Sequence, residues 1–131
     1  MTPVVIDASA GAEMAADTFT GRRLRRLLPA DAELWVPDLF YAECGSVLRK
    51  WERFGVLAAD ELTDAITELE LWPLRMVGTR GFLRQAWQLR HNVTAADAMY
   101  VVLADHLGAS LLTDDHRLVR APNLPVPTLH L

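Results

Sequence analysis

The sequence contains one cysteine, one lysine and no long apolar run, and each shortage excludes a class of protein. Because Cys44 has no partner within the chain, disulfides do not stabilise the fold, and we expect a buried reduced thiol. No window reaches the roughly 20 apolar residues that cross a bilayer. The N-terminal residues also lack the basic and apolar regions of a signal peptide. We therefore expect a soluble, cytoplasmic protein with no membrane partner.

Net charge and chain length also limit the kind of protein that this sequence can form. The formal net charge is -4, from 17 acidic against 13 basic side chains, which argues against a protein that merely coats nucleic acid. A length of 131 residues with 51% hydrophobic side chains is enough for one sizeable core. There is no repeat, linker or low-complexity stretch, so we expect residues 1–131 to form a single domain.

Short apolar segments alternate with segments of helical periodicity. The apolar runs predict strands at residues 4–6, 34–36, 74–77 and 110–113, with a weaker fifth at 127–131. Helices are predicted at residues 38–54, 60–71, 79–91 and 95–107, the first two as a helical hairpin. This alternation is typical of an α/β fold with a mostly parallel sheet of four to five strands and helices on both faces.

Four acidic residues fall where such a fold places its ligand site. Asp7 directly follows the first strand, and Asp115 lies two residues past Thr113 at the end of the fourth. Glu43 and Asp97 occupy early turns of predicted helices. In open α/β sheets, ligands bind outside the carboxyl ends of the strands. The positions predict that the four carboxylates gather at that edge.

Each acid also has a structural interpretation that involves no ligand. The segment from Thr94 to Asp97 resembles a capping box, and Asp114 or Asp115 is suited to cap a short helix. A lone Glu43 is usually solvated or ion-paired, for example with Lys50 two turns later on the same helix. Asp7 is the hardest to dismiss, because an acid that ends a buried strand must be paired or coordinated.

Four converging carboxylates predict a metal ion. They would repel one another and raise each other's pKa values unless cations neutralised them. Ligands made only of oxygen suit Mg²⁺, or Mn²⁺, and two such ions promote phosphodiester hydrolysis. In this hypothesis Asp7 and Asp115 are the main ligands, Asp97 a ligand or bridge, and Glu43 a ligand or the group that orients water. Ser9 and Thr113 hold carboxylates by hydrogen bonds or act as ordinary caps.

Four segments together resemble a known family. They are Val5-Ile6-Asp7-Ala8-Ser9, Tyr41-Ala42-Glu43, the helix from Ala96 to Ala104, and Leu111-Leu112-Thr113-Asp114-Asp115-His116-Arg117-Leu118. In order and spacing they are similar to the PIN-domain toxins of the VapC type, over essentially the whole chain. The Thr-x-Asp spacing of that family selects Asp115 and leaves Asp114 as an auxiliary residue or a cap.

The resemblance implies a PIN-like three-layer α/β/α sandwich. It also implies a Mg²⁺-dependent endoribonuclease site made by Asp7, Glu43, Asp97 and Asp115. The partners implied are RNA as substrate, a cognate antitoxin as inhibitor and a second copy of the chain in a homodimer.

Basic and aromatic residues are candidates for RNA contact. Arginine supplies 12 of the 13 bases, and the densest cluster is Arg22, Arg23, Arg25 and Arg26. Arginine suits phosphate, although such runs usually mark solvated faces, and Arg117 is a similar candidate because it follows Asp115. The tryptophans, Trp35, Trp51, Trp72 and Trp87, are expected in the core or at a dimer contact. The histidines show no zinc-like spacing, and His116 is expected at the surface.

Two other functions remain open at this point. A phospho-receiver also binds Mg²⁺ at the carboxyl edge of a parallel sheet. It requires a second acid beside Asp7 and a lysine after the last strand, whereas the only lysine here is Lys50. The other is a catalytically silent interaction module, in which the acids are caps and the helical hairpin is the functional surface.

Overall fold

The computed structural model describes residues 1–131 and contains one sheet of five strands. The strands are β1 (Thr2–Ile6), β2 (Ala32–Pro37), β3 (Arg75–Val77), β4 (Ser110–Leu112) and β5 (Thr128–Leu129). All four pairings between neighbours are parallel, and the order across the sheet is β3-β2-β1-β4-β5. The predicted α/β fold with a sheet of four to five strands is therefore confirmed.

Seven helices connect the strands. They are α1 (Ala8–Ala15), α2 (Phe19–Arg25), α3 (Phe40–Arg53), α4 (Ala59–Leu71), α5 (Leu83–Gln88), α6 (Ala95–Leu107) and α7 (His116–Val119). The predicted hairpin corresponds to α3 and α4. None of these helices combines the length and the apolar character that crossing a membrane requires.

The prediction of one continuous helix over residues 79–91 was wrong. A 3-10 turn at Arg80–Phe82 leads into α5, which ends at Gln88. The N–H groups of Leu89, Arg90 and Asn92 each bond to the carbonyl three residues earlier, so the chain tightens into turns. Residues 89–94 therefore form a loop ahead of α6.

The core lies on both faces of the sheet. Val5, Ile6, Leu111 and Leu112 are fully buried, as expected for central parallel strands. The chain moves outward from β1 to β3 and then crosses back to β4. With right-handed crossovers, α1 to α4 cover one face while α5 and α6 cover the other, which makes three layers.

The tryptophans divide between core and surface. Trp35, Trp51 and Trp72 are partly buried against the core, as expected. Trp87 is 64% exposed, so the core placement is wrong for this residue, and a dimer contact stays a prediction. It occupies the short α5, whose buried positions are limited to Ala86 and the preceding Phe82.

The strand order reverses between β1 and β4. β1 leads to β2 on one side, while β4 lies against the other side of β1, with Ile6 paired to Leu112. The N–H of Asp7 donates to the carbonyl of Leu112 at 3.1 Å. Ligand crevices of α/β sheets open at such a reversal, and the residues that follow both strands lie side by side there.

Candidate active site

Asp7 lies at the junction of β1 and α1 and is 3% exposed. Its Oδ1 accepts hydrogen bonds from the N–H of Ala10 (3.0 Å) and from Ser9 Oγ (2.6 Å). Its Oδ2 accepts one from Thr113 Oγ1. Burial raises the pKa of Asp7 to about 6, although these hydrogen bonds oppose the rise. The carboxylate is thus fully partnered yet costly to ionise.

Two hydroxyl groups join Asp7 to the chain that follows β4. Ser9 Oγ accepts from the N–H of Asp114 at 2.9 Å, and Thr113 Oγ1 accepts from the N–H of Asp115 at 3.0 Å. Both hydroxyls therefore bond to the Asp7 carboxylate and to a backbone N–H at once. This arrangement fixes the orientation of Asp7 relative to the residues after β4.

Asp115 serves as the N-cap of α7. Its Oδ1 accepts from the N–H of Arg117 at 2.9 Å, and Arg117 Nε lies 3.7 Å from the same oxygen. The capping interpretation is therefore confirmed for Asp115 and wrong for Asp114, whose side chain caps no helix. The reason is register, since α7 begins at His116, one residue beyond the reach of Asp114.

Asp97 lies in the first turn of α6 and completes only half of a capping box. Its N–H donates to Thr94 Oγ1 at 3.2 Å, but no bond returns from the Thr94 N–H to the Asp97 carboxylate. The side chain is half-buried, and burial raises its pKa, with a further rise from the charge of Asp115. The Thr94 hydroxyl and the charge of Arg117 oppose this rise in pKa.

Glu43 is held by a residue that the sequence patterns did not single out. Tyr100 Oη donates to Glu43 Oε1 at 2.6 Å, and Lys50 makes no ion pair with Glu43. Tyr100 follows Asp97 by three residues, so both lie on one face of α6. Tyr100 was overlooked because it lies within an apolar run. A buried tyrosine hydroxyl needs a hydrogen-bond partner, and this need could have indicated a polar neighbour.

One cavity of about 300 Å³ brings the predicted acids together. Its lining consists of Asp7, Ala8, Ser9, Glu43, Ser46, Val47, Asp97, Tyr100 and Asp115. Thr113 is buried and bonds to Asp7 but is not part of this lining, and neither are Asp114 and Arg117. Sequence reasoning also missed Ser46, which lies one turn after Glu43 on α3.

The carboxylates in this cavity influence one another. Burial is the main cause of the raised pKa values of Asp7 and Glu43, and the charge of Asp97 raises both further. As the side chains stand, no three of them are close enough to surround a single metal ion. Their chemistry nevertheless fits one, because an all-oxygen donor set with repelling charges is what a hard divalent cation stabilises.

Cys44 lies next to Glu43 in sequence but takes no part in this chemistry. The thiol is buried, and burial raises its pKa to about 12, with smaller contributions from the charges of Asp7 and Glu43. A thiol that remains protonated is a poor nucleophile and metal ligand. The side chain packs in the core, as the sequence predicted.

The arginine cluster of the sequence lies away from the carboxylates. Arg22, Arg23 and Arg25 belong to α2, where Arg22 contacts Asp17 and Arg25 stacks over Trp72. No member of the cluster lines the carboxylate cavity. Arg90 and Arg117 instead line a second cavity of about 380 Å³, which shares Asp97 and Asp115 with the first.

Known proteins share this sequence pattern and fold. Residues 4–124 match the PIN domain family. A relative named Ribonuclease VapC3 from Mycobacterium tuberculosis is 36% identical over 90% of this chain and 86% of its own length. The crystal structure of Mycobacterium tuberculosis VapC20, described as a sarcin-ricin loop cleaving toxin, matches with a TM-score of 0.63 and 17% identity over 88% of this chain and 92% of that one.

A second solved structure covers nearly all of both chains. VapBC2 from Rickettsia felis, described as bound to a DNA fragment from its promoter, matches 98% of each chain with a TM-score of 0.63 and 13% identity. Both solved structures share the fold of this chain, and the curated relative is similar to it in sequence. The chain therefore belongs to the PIN domain family and, within it, to the VapC ribonucleases.

Proposed function

We propose that this protein is a Mg²⁺-dependent endoribonuclease that acts as the toxin of a toxin–antitoxin pair. Its site would be formed by Asp7, Glu43, Asp97 and Asp115. The observation that carries the proposal is the single cavity into which β1, α3, α6 and the residues after β4 deliver these carboxylates. Family membership supports RNA as the substrate, since the relatives are ribonucleases.

The donor set supports a hard divalent cation as cofactor. Asp7 and Asp115 would be the main ligands and Asp97 a ligand or a bridge, with Mn²⁺ as the alternative to Mg²⁺. A bound ion would supply charge to polarise the phosphodiester and to activate water. Binding of the cation would also offset the repulsion among the carboxylates. The cation would thereby favour their ionised forms.

The other residues of the cavity would position these acids. Ser9 and Thr113 hold both oxygens of Asp7 in place. Tyr100 holds Oε1 of Glu43, so Oε2 remains free to orient the attacking water. The raised pKa of Glu43 suits it to accept a proton from that water.

The partners in this proposal are RNA, a cognate antitoxin and a second copy of the chain, all in the cytoplasm. The VapBC2 structure of the same fold supports the antitoxin, since that protein is described as a complex bound to its promoter DNA. Light scattering of the purified chain tests the homodimer. A monomeric mass at micromolar concentration would contradict it.

Cleavage of structured RNA tests the activity. We expect the wild type to cut in Mg²⁺ and to stop in chelator, and Asp7→Ala and Asp97→Asn to be inactive. Asp105→Asn is the matched control, because Asp105 is an exposed carboxylate on the same helix as Asp97. Equal cutting by the Asp97 and Asp105 variants would contradict the proposed site. The protein must be free of antitoxin, because a bound inhibitor would mimic inactivity.

The same assay distinguishes the two alternatives. A silent interaction module predicts intact RNA under every condition, even with antitoxin absent. The phospho-receiver is not supported, because the chain belongs to the PIN domain family. A receiver also requires a second acid beside Asp7 in the sequence and a lysine after the last strand, and this chain has neither.

A further inference from the structure

The second cavity lies directly beside the carboxylate cavity. It is formed by the loop between α5 and α6, the start of α6 and the residues of α7. Asp97 and Asp115 belong to both linings, so these two acids form the shared wall. A linear molecule that reacts at the carboxylates can therefore extend into the second cavity without leaving the surface.

The second cavity contains basic side chains, which the first cavity lacks. Apart from the shared Asp97 and Asp115, its lining contains no acid and includes Arg90, Arg117 and His91. Asn92 and Thr94 add uncharged hydrogen-bonding groups. Positive charge beside a set of carboxylates suits a chain of successive phosphates, in which one phosphate reacts and the next needs a counter-charge.

Arg90 is held in place before any ligand arrives. Its guanidinium stacks over the Trp87 ring, with Cζ 4.5 Å from the centroid, and Nη1 donates to the Trp87 carbonyl at 2.9 Å. The exposed Trp87, which the core does not need, thus serves as a platform for this arginine. A fixed guanidinium loses less conformational entropy on binding phosphate than a free one.

Arg117 reaches the same cavity from α7. Its contact with Asp115 is long, with Nε 3.7 Å from Oδ1, and the side chain is 88% exposed. Most of its donors therefore face solvent and remain available for an anion. Arg90 and Arg117 thus both line one cavity, in which seven of the nine lining residues are not hydrophobic.

We propose that the cavity between the 89–94 loop and α7 is a phosphate subsite that binds the RNA backbone next to the scissile bond, through Arg90 and Arg117. This inference rests on the proposed ribonuclease function. It assigns backbone binding to these two arginines rather than to the cluster on α2. The contacts are to phosphate, so they strengthen binding without selecting a base.

Binding of a fluorescein-labelled single-stranded RNA in chelator, followed by anisotropy at several salt concentrations, tests the subsite. We expect Arg90→Gln to bind about tenfold more weakly than wild type, because a charge-assisted hydrogen bond is lost. The salt dependence should also fall, by about 0.7 in the slope of log affinity against log salt for one phosphate contact. Arg90→Lys retains the charge and should keep the wild-type slope.

Arg84→Gln is the matched control, because Arg84 is an exposed arginine of α5 outside both cavities. It should bind like wild type, and all variants should melt at the same temperature. Equal affinity and slope for the Arg90→Gln and Arg84→Gln proteins would overturn the subsite. Failure of the ribonuclease proposal would show differently, as wild-type RNA binding without cleavage in Mg²⁺.

Discussion

At the scale of single residues, Asp7 contributes to the pH dependence of the stability of the metal-free protein. Its pKa is 3.8 in an unfolded chain and about 6 in the fold, so the folded state retains a proton that the unfolded state releases. The free energy of unfolding should therefore fall as pH rises from about 4 to about 6. Above that range the ionised buried carboxylate costs up to about 3 kcal/mol.

Asp7→Asn removes this cost together with the activity. In chelator at pH 7.5 we expect the variant to be more stable than wild type by about 1–3 kcal/mol, measured by urea unfolding. At pH 4 the difference should disappear, because the wild-type carboxyl is then protonated. Asp105→Asn, at an exposed position, should show neither effect. A variant less stable than wild type at pH 7.5 would contradict this explanation.

Tyr100 is expected to act through Glu43 as a positioning residue. Its hydrogen bond at 2.6 Å favours the ionised carboxylate, so Tyr100→Phe should raise the pKa of Glu43. We expect RNA cleavage about tenfold slower near neutral pH, with the acidic limb of the pH–rate profile moved to higher pH.

Tyr41→Phe provides the comparison for Tyr100→Phe. Tyr41 is the only other tyrosine, is 37% exposed and has no hydrogen bond through its hydroxyl. Its variant should match wild type in rate and profile. A uniform loss of rate in Tyr100→Phe with no change in the pH profile would indicate a purely structural role.

At the scale of elements, the contact between α1 and α3 sets the distance between Asp7 and Glu43. Gly11 of α1 packs against the ring of Phe40 at the start of α3. A Cβ at this position would lie 2.5 Å from Phe40 Cε1 and Cζ, and the buried ring cannot swing out to solvent. Glycine thus allows the close approach that brings Glu43 to the cavity.

Gly11→Ala should consequently affect both stability and activity. We expect a loss of about 1–3 kcal/mol in the free energy of unfolding from overpacking, and a cleavage rate reduced by roughly tenfold or more because Glu43 is displaced. Gly45→Ala is the control, since a Cβ there meets nothing within 4 Å. Within a helix that change should instead stabilise the protein by about 0.5–1 kcal/mol, measured by the same unfolding experiment.

The second cavity beside the carboxylates forms because α5 ends at Gln88. Helical periodicity predicted residues 79–91 as one helix. The turns at Leu89, Arg90 and Asn92 end it at Gln88 and release the loop that lines the second cavity. A periodicity argument does not detect such turns, because tertiary packing decides where they form.

At the scale of the whole molecule, Mg²⁺ should couple the site to global stability. At 100 times its dissociation constant, an ion that binds only the folded state adds about 2.7 kcal/mol to the free energy of unfolding. The gain should be smaller at pH 5 than at pH 7.5, because the raised pKa values of Asp7, Glu43 and Asp97 let protons compete with the ion.

Thermal unfolding with and without Mg²⁺ at the two pH values measures this coupling. Asp97→Asn should lose most of the gain, whereas Asp105→Asn should retain it. Stabilisation of equal size in both variants would place the ion elsewhere on the molecule.

The sequence by itself determined the order of the strands, the parallel sheet and the family. Its apolar runs were long enough to mark each strand. Asp7 follows β1 directly and Asp115 follows shortly after β4, so their edge of the sheet was predictable. The sequence also indicated Glu43 and Asp97, but mainly through the family pattern, because acids in helices have common structural roles.

Only the tertiary structure decided what surrounds those acids. The partnership of Tyr100 with Glu43 spans 57 residues, and the bond from Thr113 to Asp7 spans 106, so no local pattern contains them. The same holds for Arg90, whose loop meets Arg117 of α7 in one cavity only in the folded chain. Contacts between distant segments depend on how the helices cover the sheet, and local propensity carries no information about them.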